Sequence, residues 1–404
     1  MTSTSDMPFS GLRVLDLTQG VAGPHCTMLF AQYGADVVKI EPPAGDWARG
    51  LGGAYEDLSS HFIAFNRGKQ SIVLDLKEER GREIVLQLAR DADVVVESFR
   101  PGVVDRLGVG YTDLRALNPD VIYVSISGFG QTGPYRARGA VDSIIQSYTG
   151  FMSINRNESG KPQKVSMVVM DAIAGLYAFQ SATVALYARL AGGGGRYLDI
   201  GMSQAGFAFQ SPKITQYAME NGSPPDDIYV PIGVYETREG YINISARHPA
   251  QFARLCHALG RPELAADPRF ASYEAQDENA DALRSALQAA FSEKTADEWV
   301  NILNEAEVLN QKVNDFGDVL ADPHVDATGA FAEIDHEVVG KIPLANIPGA
   351  PPIPSDGPLA TAPRLGQHSV AILHALGQSD REIGELIASG VLGAFGRAPE
   401  SVGE

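Results

Sequence analysis

Short β-branched runs alternate with helical patterns through roughly the first 125 residues of this 404-residue chain, and few architectures accept that order. Arg13-Val14-Leu15-Asp16-Leu17 predicts a first strand. Gly20, Gly23 and Pro24 follow, then a helix from about His25 to Tyr33 that Gly34 ends. Asp36 to Glu41 predicts a second strand, stopped by Pro42-Pro43. Ser71 to Leu76, Asp93 to Glu97 and Asp120 to Ser127 predict three more strands. Between them Glu78 to Asp91 places Ile84, Val85, Leu88 and Ala89 at helical spacing. Strands that alternate with helices imply an α/β fold: a parallel sheet with helices on both faces.

The later chain has a different texture. Val168 to Leu190 predicts one long Ala- and Leu-rich helix, ended by Gly192 to Gly195, and Arg196 to Met202 predicts a strand. Val230 to Arg247 alternates like a hairpin with Arg238-Glu239-Gly240 at its turn. Helical patterns follow at Phe252 to Leu259, Ala282 to Phe291 and Thr295 to Ala306. Residues 225–320 are therefore expected to form a smaller α+β domain. Asp322-Pro323 starts a return segment, Pro343 to Pro363 reads as proline-rich and extended, and Ser379 to Ser389 as a closing helix. No internal repeat of fixed period is present.

Charge narrows the function classes. Lys and Arg total 32 and Asp and Glu 50, so the net charge is 32 − 50 = −18. Nucleic acid and anionic membrane both demand a basic face, so neither is an expected partner. Residues 1–150 carry 14 basic and 18 acidic side chains, a net of −4, and are the less hostile home for a polyphosphate ligand. Arg67, Lys69, Lys77, Arg100, Arg106, Arg136 and Arg138 fall in the loops there, where surface solvation is the plain alternative. Two distant cysteines, Cys26 and Cys256, suit a reducing compartment rather than a disulfide framework. No run is expected to cross a membrane, and Met1 to Ser10 does not read as a signal peptide. These points together imply a cytoplasmic enzyme.

Several motifs invite a mechanism. Gly128-Phe129-Gly130-Gln131-Thr132-Gly133 matches a dinucleotide fingerprint, but Pro134, Arg136 and Arg138 follow where a helix should begin. A glycine turn at a strand's carboxyl end is the plainer reading, and it still marks where open α/β sheets bind ligands. The first strand-helix-strand unit, Val14 to Glu41, resembles a nucleotide-binding unit without the full fingerprint. There is no G-x-S-x-G elbow, no phosphate loop and no H-x-H or H-E-x-x-H spacing among eight histidines, so no metal site is expected. His25 and Cys26 are adjacent on a helix and point apart, which favours structural roles. Asp171 opens the long helix and Asp142 opens Ser143-Ile144-Ile145-Gln146. Each suits a capping acid, and each also suits a carboxylate positioned for chemistry.

The order of these stretches resembles the family III CoA-transferases, which include formyl-CoA and carnitine CoA-transferases, with α-methylacyl-CoA racemase as a sister branch. The carrying residues are Gly11 to Leu17 with Ala22-Gly23-Pro24, Gly34 to Pro42, Asn66-Arg67-Gly68-Lys69, and Leu74-Asp75-Leu76-Lys77. Asp93 to Glu97, Asp105-Arg106-Leu107-Gly108, the turn Gly128 to Pro134 and Pro363 to His368 continue the series. The resemblance is weakest between about 205 and 320.

That resemblance implies an interlocked, ring-like homodimer. A large Rossmann-like domain would use both chain ends, 1–224 and 321–404, around the smaller domain at 225–320. It implies no permanently bound cofactor, coenzyme A as substrate, and acyl-CoA and a carboxylic acid as partners. The family nucleophile falls on Asp171, with Asp142 as a second catalytic acid. An aspartate attacking a thioester forms a mixed anhydride and releases the CoA thiolate. Backbone N–H groups near glycines are expected to stabilise the oxyanions, and the helix N-terminus to favour ionised Asp171. CoA would meet Val21, Ala22, Leu74, Asp75, Leu76, Lys77, Ser98, Phe99, Arg100 and Arg106, the last as a phosphate partner.

The chain departs from the family pattern at Ser98, where asparagine is common, at Pro42, at Asn310-Gln311-Lys312-Val313, and in lacking the tetraglycine active-site loop. A racemase would carry Gly-His-Asp where this chain reads Ala140-Val141-Asp142. Valine takes no proton, so the transferase reading is preferred to racemisation or intramolecular CoA migration. A CoA-binding protein without catalysis is the alternative of another class, and a nicotinamide dehydrogenase the most distant.

Overall fold

The computed structural model describes residues 7–157, 159–222 and 229–396. The chain divides into two compact units: Met1–Ser211 with Gly329–Glu404, and Pro212–Thr328. The expected start of the smaller domain at 225 lies outside the described residues.

The larger unit is built on six parallel strands: β1 (Arg13–Leu17), β2 (Asp36–Glu41), β3 (Gln70–Leu74), β4 (Val94–Glu97), β5 (Ile122–Ser127) and β6 (Arg196–Gly201). They lie in the order β3-β2-β1-β4-β5-β6, and Leu392–Gly393 adds an antiparallel edge beside β3. The chain steps outward from β1 to β3, then returns to the other side of β1 for β4. That reversal leaves a crevice beyond the carboxyl ends of β1 and β4, where such sheets bind ligands.

Alternate strand residues feed two separate cores. Val14, Val37, Val94, Val96, Ile122 and Val124 pack with Phe30, Ala174 and Ala178 on one face. Leu15, Ile40, Ile72, Val95 and Tyr123 pack with Ile84, Val85, Leu373 and Ile383 on the other. Helix α1 (Ala22–Gln32) is buried along its whole length, because neighbours enclose it all round. Helix α2 (Glu79–Ala89) buries only Gly81, Ile84, Val85 and Ala89 and keeps a charged outer face. Two later helices on the first face matter for the site, α3 (Asp142–Tyr148) and α4 (Val169–Leu190).

Helix α4 bears on the expectation that no run crosses a membrane. By length and composition it is apolar enough to cross a membrane. Its charged residues, Asp171 and Arg189, sit near its two ends, and a stripe of Ala174, Ala178, Ala182 and Ala185 is buried where it packs on α1 and the sheet. Gly175 sets the distance to α1. A Cβ there would lie 2.7 Å from the Ala22 carbonyl oxygen and 2.9 Å from His25 Cβ.

The return segment also differs from expectation. Phe331–His336 and Gly340–Ala345 form an antiparallel hairpin, and its Ile334 and Leu344 join Leu58, Phe62 and Ile353 in a satellite core. Pro343 is tolerated because this two-stranded ribbon leaves half of its backbone groups unpaired.

The smaller unit has a three-stranded antiparallel sheet, with Tyr241–Ser245 between Gly233–Glu236 and Leu309–Lys312. Helices Pro249–Ala258, Ala280–Phe291 and Ala296–Glu305 supply its core with Phe252, Leu255, Leu287, Phe291 and Trp299. The Trp299 indole donates to the Phe291 carbonyl at 2.8 Å, so the largest core side chain has its polar atom satisfied.

Candidate active site

Beyond β1 the chain turns through Thr18 to Val21 into α1, and this turn is held from below by a buried ionic cluster. Asp16, Lys39 and Lys69 are buried, on or next to β1, β2 and β3. Lys69 Nζ donates to Asp16 Oδ2 at 2.9 Å, Asn66 Oδ1 at 2.8 Å and the Pro24 carbonyl at 3.0 Å. Lys39 Nζ meets Asp46 Oδ2 at 2.9 Å and the Thr18 carbonyl at 2.7 Å. Asp46 Oδ1 in turn accepts from the Gly20 and Ala48 amides, each at 2.9 Å. Burial works against ionised Asp16, but Lys39 and Lys69 overcome it and hold its carboxyl well below the usual range. Burial pushes Lys69 down to about 8, whereas Lys39 is raised because three carboxylates face it.

These charges correct the view of the loop cations as solvated. Arg67 and Lys69 are both buried, and the Arg67 guanidinium is bound to the Gln32 side-chain oxygen. The turn they support is tight. Gly20 has φ +84°, and a Cβ on it would fall 2.2 Å from the Trp47 ring.

The loops after β1, β4 and β5 meet over the crevice, where the Gln19 amide donates to Ser98 Oγ at 3.1 Å. They enclose a cavity of about 200 Å³. Val21, Ala22, Ser98, Phe99, Arg100 and Asp171 line it together, with Gln19, Trp47, Ser127, Arg136, Arg138 and Val141. Arg100, Arg136 and Arg138 are exposed, and none of them pairs with a carboxylate among the described residues. The Arg138 guanidinium stacks on the Tyr135 ring at 3.5 Å.

Asp142 stands beneath the cavity wall as the cap of a different helix from its own. Its Oδ2 accepts from the Met170 amide at 2.7 Å and the Asp171 amide at 3.2 Å, satisfying two open N–H groups of α4. Its Oδ1 accepts from Gln146 Nε2 at 2.5 Å, and Gln146 Oε1 accepts from the Val165 amide at 3.0 Å. The segment leading into α4 is thus fixed from both sides.

Asp171 is left with no hydrogen-bond partner for its carboxylate among the described residues. Burial first, and the Asp142 charge second, push it up to about 7. The expected stabilisation by the helix N-terminus does not prevail, because those amides point at Asp142. The neighbours His25 and Cys26 are both buried. The His25 ring contacts the Ala172 carbonyl at 3.2 Å and burial takes its pKa down to about 4, while the Cys26 thiol is buried and its pKa strongly raised.

Other expected contact residues stand elsewhere along the same sheet edge. Leu74 ends β3 and Asp75, Leu76 and Lys77 follow it: the Asp75 amide donates to the Val391 carbonyl at 2.9 Å, and Arg82 donates to the Leu76 and Lys77 carbonyls at 3.0 and 2.6 Å. Arg106 is exposed on the short helix Val103–Leu107. Neither group lines the cavity. Sequence reasoning missed Gln19, Trp47 and Ser127, and the only signal for them was position at or after a strand's carboxyl end.

A cavity lined by an unpartnered carboxylate and free guanidiniums suits chemistry on anionic, activated acyl groups, and comparison with known proteins agrees. Residues 9–369 match the model of CoA-transferase family III. The human succinyl-CoA:glutarate CoA-transferase is 33% identical over 397 residues, 95% of this chain and 90% of its own. The acetyl-CoA:oxalate CoA-transferase of Acetobacter aceti is 39% identical over 308 residues, 74% of this chain and 79% of its own. A crystal structure of a CAIB/BAIF family protein from Brucella suis superposes with a TM-score of 0.82 at 33% identity, covering 92% of this chain and 99% of that one. The match begins before β1 and ends beyond the return hairpin, so it takes in all six parallel strands and the elements that line the cavity: the chain is an enzyme belonging to the family III CoA-transferases.

Proposed function

We propose that this enzyme moves CoA from an acyl-CoA thioester to a small dicarboxylic acid through covalent intermediates on Asp171. The observation that carries the reading is the Asp171 carboxylate, raised to about 7 and lining the same cavity as three arginines, all four without an ion-pair partner among the described residues. A carboxylate in that state ionises near neutral pH and is poorly solvated, which suits a nucleophile. Asp171 oxygen bonds to the thioester carbonyl carbon, the C–S bond breaks, and its electron pair leaves on the CoA thiolate. The thiolate then attacks the aspartyl carbonyl and frees the donor acid, leaving an aspartyl thioester. The acceptor carboxylate repeats the exchange, and the thiolate finally takes the acceptor's acyl carbon, restoring ionised Asp171. No net proton moves in any step.

Arg100, Arg136 and Arg138 supply positive charge for CoA phosphates and for an acceptor's second carboxylate. The relatives whose names pair succinyl-CoA with glutarate and acetyl-CoA with oxalate support dicarboxylates as the acid class. Val141 at the cavity wall offers no base, which disfavours racemisation. Val21, Ala22, Ser98, Phe99 and Arg100 would hold the thioester end of CoA, with Leu74 to Lys77 and Arg106 further along the edge. An interlocked homodimer is supported by the outer face of α4, where Val184, Tyr187 and Leu190 are 61%, 74% and 85% exposed. Two free, buried cysteines fit a reducing, cytoplasmic setting.

The test mixes the protein with succinyl-CoA and a panel of carboxylic acids and follows acyl-CoA species by mass spectrometry. New acyl-CoAs with wild type and none with Asp171→Ala are expected. Turnover that survives in Asp171→Ala would overturn the mechanism.

A further inference from the structure

Attack by Asp171 turns the thioester oxygen into an oxyanion, and that charge needs a donor. The amides nearest the nucleophile are not available, since Met170 and Asp171 both donate to Asp142 Oδ2 and Ala172 donates to the Val168 carbonyl at 3.0 Å. One buried hydroxyl in the cavity wall is uncommitted. Ser127 ends β5, is 8% exposed, and its Oγ is buried without a hydrogen-bond partner among the described residues. It lines the same cavity as Asp171. A buried hydroxyl left unsatisfied destabilises a fold by about 1–3 kcal/mol, so its place here calls for a partner that arrives with the substrate.

Its surroundings keep it in place. Gly128 follows directly, and a Cβ there would lie 2.2 Å from Ala140 Cβ, so the strand end is pressed against the loop that leads into α3. The Gly128 carbonyl accepts from the Ser203 amide at 3.0 Å. Ser127 therefore sits on a rigid strand end, as an oxyanion donor requires.

We propose that the Ser127 hydroxyl donates a hydrogen bond to the thioester oxygen as Asp171 adds to the carbonyl carbon, and is a catalytic residue of this enzyme. Ser127 forms no covalent bond and keeps its proton. The negative charge it stabilises returns to the carbonyl when the C–S bond breaks and the thiolate leaves. This assignment rests on the aspartyl reading above.

The experiment compares Ser127→Ala, Ser127→Thr and Asp171→Asn with wild type in steady-state transfer from succinyl-CoA, with thermal melts of each. Removing one oxyanion donor should lower kcat by about 10²–10³-fold for Ser127→Ala, with KM for the acyl-CoA nearly unchanged. Ser127→Thr, which keeps the hydroxyl, should recover most of that loss. Ser127→Ala should melt at the wild-type temperature or above it, because no protein hydrogen bond is broken. A Ser127→Ala enzyme with wild-type kcat, beside an inactive Asp171→Asn, would overturn the assignment and leave the aspartyl reading standing. A lower melting temperature with no rescue by threonine would make Ser127 structural and overturn it as well. An active Asp171→Asn would remove both.

Discussion

The carboxylates around buried Asp16 and around part-buried Asp171 lie in the same larger unit and are built on opposite terms. Around Asp16 every charge has a partner: two lysines, the Thr18 and Thr27 hydroxyls and a backbone amide meet its two oxygens. Around Asp171 the like charge of Asp142 acts on the carboxylate, and nothing among the described residues hydrogen-bonds it. Burial works to raise both carboxyls; Lys39 and Lys69 overcome it and hold Asp16 below its ordinary range, whereas Asp171, with the Asp142 charge beside it, is raised to about 7. Paired charge suits a scaffold, and a carboxylate left unpaired on a cavity wall suits the nucleophile proposed above.

The sharpest way to break this contrast is to delete each carboxylate. Asp171→Ala should lower transfer activity by about 10⁴-fold or more while its melting temperature stays level or rises, since an unfavourable buried charge is gone. Asp16→Ala should do the reverse. It strands Lys39 and Lys69 in the interior, and unfolding by urea should show a loss of about 3–5 kcal/mol. Equal stability losses in the two variants would erase the distinction.

Acidification sharpens it further. Asp16 binds its proton less tightly folded than unfolded, so its contribution is present above an unfolded pKa near 4 and is lost as pH falls below that. Asp171 binds its proton more tightly folded, so the wild type should lose stability relative to Asp171→Asn as pH rises from about 4 to about 7. Denaturation series at several pH values read both slopes. The kcat/KM of the wild type should climb through the same neutral region as Asp171 ionises.

A smaller effect is expected at Asp142. Asp142→Asn keeps an oxygen for the α4 amides but removes the like charge, so the midpoint of the pH–rate profile should move below that of wild type. Roughly tenfold lower kcat should accompany the weaker capping bonds. An unmoved midpoint would show that burial alone raises Asp171.

The contrast also explains what could be read in advance. Strand positions such as Val94-Val95-Val96 were legible because both faces of the sheet need apolar residues, and Asp36–Glu41 because prolines bound it. Leu309–Lys312 escaped notice: its sequence is Leu-Asn-Gln-Lys, and only pairing with Tyr241–Ser245 makes it a strand. Lys39 and Lys69 looked like any polar residue at a strand or loop, since their partners arrive from Asp16 and Asp46, more than twenty residues away or in another turn. Asp171 and Asp142 were visible individually as acids at helix starts. Their arrangement, one capping the other's helix across 29 residues of sequence, is a tertiary fact. Ser127 carried no local signature, because what distinguishes it is a hydroxyl without a hydrogen-bond partner among the described residues.

The division of the larger unit between both chain ends has a consequence for synthesis. Residues 212–328 can complete their fold on a growing chain as soon as they emerge. The sheet they interrupt cannot. Helices Ser369–Ala375 and Asp380–Ala388 cover one of its faces, and Leu392–Gly393 closes the β3 edge. Until those residues leave the ribosome, Ile72, Leu74 and Val95 lack part of their cover, so the larger unit begins before the smaller one and finishes after it. A stop codon a few dozen residues early would leave the smaller unit whole and the larger one with an open, adhesive face.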